Sequence, residues 1–483
     1  MNKLSTIAVL SLMTAVSFSC SGKESETEEP MPGGKPDVVE PTNPEVNPAQ
    51  DTEDWVYRRN AETGKKEKFF GIGFWGVPGY ALKTEPDKDP ANEEAFRKWT
   101  ANSNVMILDP KCLQPYMKDK LLAISGFAWP VYAFSGREPA LPTSADRDYY
   151  RMQYLKANVD SPAFLKMLDE AVAEYEHRFK DYSHAYAPID EIALGGLSKW
   201  YIPASAGDKI NERIKSKASE AVVLVDLLGH GRGSTFFFEK NFLKSHAIMP
   251  AKVPYDLLDE NARKQTKYPL LGFFKAHDGT PVYSFDAKGN YSYAKIEIET
   301  LKSLWFENVK QVAEAYKNNG DVFSINAFSD FSANPILSAV TMDALKAGLG
   351  RKPVWLYFDG NGYAKPKNLD PVDYVRLVKC QIYVSLIHGA TGILFWNDLH
   401  KPSDVFVALQ PMLEELQENL PVIKLQTIDK KVAGHLHLLV KQDAEGKKYV
   451  IVANTDKSRS VELPFPVSGK KTLTPLEVLV AAL

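Results

Sequence analysis

The chain has 483 residues, a formal net charge of −3 at pH 7 and 11% aromatic residues. This length provides for one large core and a small second domain. The near-neutral charge gives no basic surface of the kind that binds nucleic acid, so we exclude that class of partner. The sequence contains no zinc-ligand spacing, phosphate-binding loop or dinucleotide fingerprint, and we therefore expect neither a metal nor a cofactor.

The amino-terminal residues have the pattern of a secretory signal peptide. Lys3 is followed by an apolar run from Ile7 to Phe18, too short to span a bilayer, and small residues then lead to Cys20. The Ser-Phe-Ser-Cys ending resembles a bacterial lipobox, and the acidic segment SGKESETEE after it resembles the lipoprotein-export signal of Bacteroidetes-type bacteria. We expect residues 1–19 to be the signal peptide and Cys20 to be lipidated, with the protein anchored to the outer membrane at the cell surface. The alternative is a soluble secreted protein with a cysteine near its cleavage site.

Residues 20–54 are predicted to form an acidic, proline-rich tether. The stretch from Pro30 to about Asp51 lacks apolar periodicity, which is typical of a semi-extended spacer. Such a spacer would hold a globular domain clear of the membrane. The other two cysteines, Cys112 and Cys380, lie among apolar neighbours, and we predict buried free thiols there in preference to a disulfide or a reactive site.

Eight apolar segments alternate with helical patterns between residues 55 and 424, which predicts an α/β fold with a (β/α)8 TIM barrel. Residues from about 240 to 293 show little periodicity, and we predict a long loop insertion there. The predicted strands are KFFGIGFWGVPGY ending at Tyr80, NVMILDP ending at Asp109, GFAWPVYAF from Gly126, IDEIALGGLSKWY from Ile189, AVVLVDLLGHGRG ending near Asp226, DVFSINAF leading to Asp330, KPVWLYFDGNGY from Lys352, and TGILFW ending at Trp396.

The last two of these strands flank the best-defined helix of the sequence. Asp370 is a good N-cap, Pro371 suits the first helical turn and Gly389 supplies the stop. A strand, a helix and a second strand joined by a long crossover form a parallel βαβ unit. The carboxyl ends of parallel strands are where such barrels carry binding and catalytic groups.

The pattern changes to strict alternation after the barrel. HLHLLVKQDAEGKKYVIVANTD contains two alternating segments around a turn at Glu445-Gly446, and SVELPFP and LEVLVAAL follow it. These segments predict a small antiparallel β-sandwich-like domain over residues 425–483.

Several segments resemble the glycoside hydrolases and hydrolase-like lipoproteins of polysaccharide-utilisation systems in Bacteroidetes. The likeness lies in GIGFWGVPGY, KPVWLYFDGNGY, QIYVSLIHGATGILFW and the closing segment YVIVANTD, and it covers most of residues 69–483. The resemblance implies a cell-surface glycoside hydrolase acting on a poly- or oligosaccharide. Retaining barrel hydrolases of this clan carry an Asn-Glu pair after strand four and a Glu after strand seven. This sequence has Ser198, Lys199 and Trp200 at the first position and Asp359 at the second.

Glycoside hydrolysis requires two carboxyl groups across the scissile bond. Asp359 is the nearest carboxylate to the position that the family uses on strand seven, and its alternative role is a turn aspartate that accepts bonds from its own loop. Asp190 and Glu191 fall at the start of predicted strand four, the face associated with stability. Asp330 is also a candidate helix cap. The predicted catalytic carboxylates are Asp359, Asp226, Asp330 and Glu239.

Aromatic and polar side chains near the predicted strand ends are candidates for contacts with sugar, because a ring can stack on the apolar face of a pyranose. Core packing is the alternative for each ring, and a turn supported by neighbouring glycines is the alternative for His230. The predicted substrate-binding residues are Trp75, Tyr80, Trp200, His230, Tyr363, Trp396 and Asp398.

Two functions therefore remain open from the sequence. The first is a hydrolase that uses two strand-end carboxylates, with other surface glycan-uptake proteins as its neighbours on the membrane. The second is a non-catalytic glycan-binding lipoprotein on a barrel that has lost its acid. The departure from the family's Glu pair is the feature that separates them, since a fold alone does not fix function.

Overall fold

We analysed a computed structural model of the chain. The described residues are 54–59, 63–75, 94, 97–108, 117–128, 132–134, 155–157, 159–189, 192, 204–227, 283–285, 291–293, 298–325, 335–362, 365, 369–396 and 403–483.

Eight parallel strands form the central sheet. The strands in the described part of the chain are β1 Val56–Arg59, β2 Lys66–Phe69, β3 Gly71–Trp75, β4 Val105–Leu108, β5 Leu121–Ser125, β6 Tyr132–Phe134, β7 Leu155–Ala157, β8 Ser183–Ala187, β9 Val222–Asp226, β10 Tyr283–Phe285, β11 Tyr291–Tyr293, β12 Val322–Ser324, β13 Trp355–Asp359, β14 Gly392–Trp396, β15 Gln426–Ala433, β16 Leu436–Gln442, β17 Lys448–Asn454, β18 Val461–Val467, β19 Lys470–Leu473 and β20 Val478–Ala482. The order of strands in the central sheet is β12-β9-β8-β5-β4-β3-β14-β13.

The two ends of this sheet meet and close it into a barrel. Phe323 on β12 bridges Val354 in parallel orientation, next to the start of β13, and the Tyr357 amide donates to the Ile325 carbonyl over 3.2 Å. The register can be followed from Asp359 on β13, partner by partner, through the other seven strands and across this bridge. It then arrives back on the β13 segment at Arg351, eight residues before Asp359. Eight strands with a stagger of eight residues are the geometry of a TIM barrel, so the predicted fold class is confirmed.

Alternate side chains of the strands fill the barrel interior. Trp355 is 1% exposed, and its ring lies against Gly392 on the adjacent strand β14 and Gly71 on the next strand, β3, where an added Cβ would come within 3.0 Å of it or less. The two glycines therefore make room for one indole. The other buried residues of this cluster are Val56, Val105, Ile107, Leu121, Ala123, Ala185, Ala187, Leu224, Val322, Tyr357 and Leu394.

Helices cover the outside of the barrel. They include α1 Pro162–Arg178, α2 Ala204–Lys217, α3 Ile298–Tyr316, α4 Ile336–Leu349, α5 Pro371–Ile387 and α6 Asp404–Ile423. The predicted N-cap of α5 is confirmed, because the Val372 amide donates to the Asp370 side chain over 2.8 Å. Ser403 caps α6 in the same way, accepting from the Phe406 amide over 3.2 Å. No helix within the described residues is long and apolar enough to cross a lipid bilayer.

Two predicted barrel strands were wrong in position. The third was predicted from Gly126, but the barrel strand is β5, which ends at Ser125, and β6 instead pairs with β7 in a hairpin. The fourth was predicted from Ile189, but the barrel strand is β8, which ends at Ala187. Its sequence, SHAYA, places alanines in the narrow barrel interior, and alanine has low strand propensity. The apolar signal of β8 is therefore weaker than that of the segment after it.

The predicted loop insertion contains some regular structure. β10 and β11 form an antiparallel hairpin within residues 283–293. The predicted insertion therefore contains at least one short hairpin. The remainder of residues 240–293 lies outside the described residues.

The carboxyl-terminal residues form the predicted small antiparallel domain. One sheet has the order β15-β16-β17-β20, and β18 pairs with β19 in a separate hairpin. We refer to residues 425–483 as the β-domain. One face of its sheet packs on the hairpin, while Leu439, Ile451 and Ala453 on the other face belong to the same buried cluster as the barrel helices. The Cys380 thiol on α5 also donates to the Asn454 carbonyl over 3.4 Å. The β-domain thus completes the core outside α5.

Candidate functional site

Three predicted site residues lie side by side at the carboxyl ends of adjacent strands. Asp359 on β13 is the register partner of Trp396 on β14, and Trp396 is the partner of Trp75 on β3. Register partners on neighbouring strands are about 4.8 Å apart. The Gly360 amide also donates to the Trp396 carbonyl over 3.0 Å, which fixes the loop after β13 to the end of β14. This part of the barrel mouth therefore presents one carboxylate beside two indoles.

The carboxylate of Asp359 accepts hydrogen bonds from two backbone amides and a tyrosine hydroxyl. Oδ1 accepts from the amides of Asn361 at 3.1 Å and Gly362 at 2.8 Å, and Oδ2 accepts from the Tyr374 hydroxyl at 2.8 Å. The Asp359 residue is 1% exposed, and Tyr374 is fully buried. This is the arrangement of a turn aspartate, the alternative that the Asp-Gly-Asn-Gly segment allowed.

The loop after Asp359 has little room to rearrange. Gly362 has a φ of +76°, in the left-handed region, and a Cβ at this position would lie 2.6 Å from the Cγ2 of Val405. Tyr374 reaches Asp359 from the first turn of α5. This contact was not predictable from the sequence, because the two residues are fifteen positions apart and meet only when α5 folds back on β13.

The two indoles at the mouth are both half-buried. Trp75 packs edge-on against Tyr357, with ring centroids 6.4 Å apart. Trp75 thus rests on the interior layer of the barrel while part of its ring is open to solvent. A partly exposed aromatic face on a rigid strand end is suited to stacking with a sugar ring.

A second carboxylate lies at the carboxyl end of β9. Asp226 is 5% exposed and is the register partner of Ser324 on β12. Its carbonyl accepts from the Ile192 amide over 2.9 Å, and the Leu227 amide donates to the Ser324 carbonyl over the same distance. The first bond joins the chain that follows β8 to the end of β9, and the second joins the end of β9 to the end of β12.

The corrected position of β8 changes the interpretation of Asp190 and Glu191. Because β8 ends at Ala187, these two acidic residues follow the carboxyl end of the fourth barrel strand in sequence, and their predicted place at its amino end was wrong. Asp190 and Glu191 themselves lie outside the described residues. Their neighbours Ile189 and Ile192 are 3% and 4% exposed, respectively.

Within the described part of the chain, no group of three or more His, Cys, Asp or Glu side chains could hold a metal ion.

Of the predicted residues not yet considered, the structure describes Cys380. Cys380 is a buried free thiol as predicted, and burial raises its pKa to about 12. The predicted residues that lie outside the described ones are Cys20, Cys112, Tyr80, Trp200, His230, Glu239, Asp330, Tyr363 and Asp398.

Comparison of the sequence with protein-family models gives no match, and comparison with curated proteins gives none either. Similar solved structures include an Anoxybacillus α-amylase, with 8% identity, a TM-score of 0.45, and coverage of 85% of this chain and 97% of that chain. An endo-β1,6-glucanase has 10% identity and a TM-score of 0.41, and the match covers 92% of this chain and 93% of that chain. The xylanase C catalytic domain from Talaromyces cellulolyticus has 8% identity and a TM-score of 0.38, and the match covers 90% of this chain and 96% of that chain. These neighbours are glycoside hydrolases, but at this similarity we draw no inference from them about activity.

Proposed function

We propose that this protein is a glycoside hydrolase that binds a poly- or oligosaccharide across the carboxyl-terminal mouth of its barrel. The observation that carries the proposal is the row formed by Asp359, Trp396 and Trp75 at three adjacent strand ends. Two partly exposed indoles on rigid strands provide stacking platforms, and the face on which they lie is the one that barrel enzymes use. The sequence resemblance to glycoside hydrolases points to the same class.

The hydrogen bonds of Asp359 favour a supporting role for this residue over proton transfer. A carboxylate that accepts from two amides and a buried hydroxyl has a fixed orientation, and both of its oxygens are engaged by the protein. We propose that Asp226 is one catalytic carboxylate and that Asp190 or Glu191 supplies the other. Asp190 and Glu191 follow β8 in the sequence, and β8 is paired with β9, whose last residue is Asp226.

A panel of variants tests these roles. The wild type is screened for product release against plant, microbial and host glycans, and each carboxylate variant is then assayed on the substrate found. We expect Asp226→Asn and one of Asp190→Asn and Glu191→Gln to lower turnover by on the order of a thousandfold or more. Asp359→Asn serves as the comparison and should lower it by less than about tenfold in protein that remains folded. A thousandfold loss in Asp359→Asn alone would instead make Asp359 catalytic.

A second candidate function is glycan binding without catalysis. The observation that favours it is the carboxylate of Asp359, whose oxygens accept hydrogen bonds from the protein itself. In that case the wild type releases no product from any glycan that it binds. Trp396→Ala and Trp75→Ala should each weaken binding by about tenfold, which corresponds to roughly 1.4 kcal/mol. Calorimetric titration of the two variants and of the wild type measures this change. Unchanged affinity in both variants would remove the indoles from the binding face.

We also propose that the protein is lipid-anchored at the outer membrane through Cys20, with residues 20–54 as the spacer. The proposal rests on the amino-terminal sequence alone. Cys20→Ala should shift the protein from the membrane fraction to the soluble fraction of the cell envelope. If the variant remains with the membranes after a high-salt wash, the anchor lies elsewhere.

A further inference from the structure

Three titratable side chains form a hydrogen-bonded chain where the β-domain meets the barrel. Asp343 on α4 lies 2.8 Å from Nδ1 of His388, which caps the carboxyl end of α5. Nε2 of His388 lies 2.9 Å from Nδ1 of His437 on β16. We call these three residues the interface triad, because its first two members belong to the barrel and its third to the β-domain.

The triad is buried at its histidine end. His437 is 1% exposed and His388 is 6% exposed. Nε2 of His437 is enclosed and has no hydrogen-bond partner among the described residues. The outer end of the chain is more open, since the side chain of Asp343 is 45% exposed and lies 3.7 Å from the Lys430 ammonium group on β15.

The hydrogen-bond geometry fixes how many protons the triad can hold. With both imidazoles neutral, Nδ1–H of His388 donates to the Asp343 carboxylate and Nδ1–H of His437 donates to Nε2 of His388. Each N–H then has an acceptor, and only the lone pair at Nε2 of His437 is unused. If either imidazole gains a proton while Asp343 stays ionised, Nε2 of His437 must carry an N–H. That buried donor has no acceptor among the described residues, and such a group costs about 1–3 kcal/mol or more if charged.

The surrounding charges also oppose an added proton. Lys302 on α3, Lys430 on β15 and His435 in the turn before β16 lie close enough to the triad to oppose a further positive charge, and the field of Asp343 on α4 acts in the opposite direction. Burial, followed by the neighbouring His388, lowers the pKa of His437 from 6.5 to about 3. Burial alone would raise the pKa of Asp343, but the His388 hydrogen bond and the nearby cations outweigh it, so this pKa lies below its usual value.

We propose that the interface triad is an acid-sensitive switch, which holds the β-domain on the barrel while both imidazoles are neutral and weakens that docking when one of them takes up a proton. The triad stabilises the docked state fully when the pH is above the pKa that His437 has in the undocked state. This stabilisation is lost progressively as the pH falls toward the lower pKa of His437 in the docked state. The pKa of His437 is about 6.5 in the undocked state and about 3 in the docked state. Lowering the pH from 8 to 5 therefore raises the equilibrium constant for opening about thirtyfold.

Labelling of the Cys380 thiol with a pyridyl disulfide in the full-length protein measures this opening directly, because that buried thiol on α5 donates to Asn454 of the β-domain. Its protection against labelling, relative to a model thiol at the same pH, should fall about thirtyfold between pH 8 and pH 5 in the wild type. His437→Gln retains a side-chain amide that can donate to His388 but cannot titrate, and its fall should be less than about threefold. His184→Gln is the control, because His184 bonds to Glu176 on the barrel and takes no part in the triad. It should behave as the wild type does.

Imidazole nitrogen shifts in NMR spectra provide a second readout that does not depend on any variant. We expect His437 to be the neutral Nδ1–H tautomer at pH 8 and to remain neutral in the docked state at pH 5. The proposal is overturned if His437→Gln and the wild type lose equal protection. It is also overturned if His437 carries its proton on Nε2 at pH 8 or titrates near pH 6.5 without any loss of protection.

Discussion

The Tyr374 hydroxyl donates a hydrogen bond to Oδ2 of Asp359 over 2.8 Å, from the first turn of α5 back to the end of the preceding strand. Tyr374→Phe would leave that buried carboxylate oxygen without this donor while keeping the ring. We expect the free energy of unfolding to fall by about 1–3 kcal/mol, the cost of a buried acceptor deprived of a partner. Urea unfolding monitored by tryptophan fluorescence measures the change.

Tyr449→Phe is the matched control for this prediction. The Tyr449 hydroxyl lies 3.4 Å from Asp443 on the β-domain, and Tyr449 is half-buried. Its removal should change the unfolding free energy by less than about 0.5 kcal/mol. Equal effects of the two substitutions would show that the Tyr374 bond contributes nothing specific to the loop after β13.

The seventh strand, the helix after it and the eighth strand were predictable from sequence for physical reasons. Both faces of β13 are buried, so its sequence is a continuous apolar run. Asp370 caps α5, and Gly389 has a φ of +99°, a conformation that favours glycine after a helix. Each boundary was therefore set by local chemistry.

The fourth strand and the engagement of Asp359 were not predictable in this way. Ala185 and Ala187 face the barrel interior, whose width depends on all eight strands, and small residues are enough to fill it there. The local sequence pattern instead favours the more apolar segment that follows them. The role of Asp359 depends on Tyr374, a contact made only when the helix packs. Sequence spacing identified the carboxylate at the strand end but not the donor that holds it.

The indole of Trp355 leads to a prediction about barrel packing. A Cβ at Gly392 would lie 2.5 Å from the Cδ1 of Trp355, inside a layer where the indole is 1% exposed. Gly392→Ala should therefore destabilise the protein by about 1–3 kcal/mol through overpacking. Thermal and urea unfolding measure the loss. The double variant Gly392→Ala, Trp355→Phe should recover part of it, and no recovery would mean that the clash is not with this ring.

The loop that holds Asp359 can be tested with two glycines of similar backbone conformation. Gly362 and Gly64 have φ of +76° and +69°, but a Cβ meets Val405 at 2.6 Å in the first case and nothing within 4 Å in the second. Gly64→Ala should cost about 1–2 kcal/mol from backbone strain alone. Gly362→Ala should cost more and also disturb the amide that donates to Asp359. Calorimetric melting of both variants gives the comparison, and equal midpoints would contradict it.

The last prediction concerns the dependence of the barrel on the β-domain. Leu439, Ile451 and Ala453 are buried in the same cluster as α5, so ending the chain at Lys424 would expose the helix face that they cover. We expect the shortened protein to be insoluble or to melt at a much lower temperature. In the full-length protein, Ile451→Ala should cost about 2–5 kcal/mol, because it leaves a cavity at a fully buried site. Ile428→Ala is its control: Ile428 is 40% exposed on β15, and its loss should cost less than about 0.5 kcal/mol. A shortened barrel with the melting temperature of the full-length protein would show that the two parts fold independently.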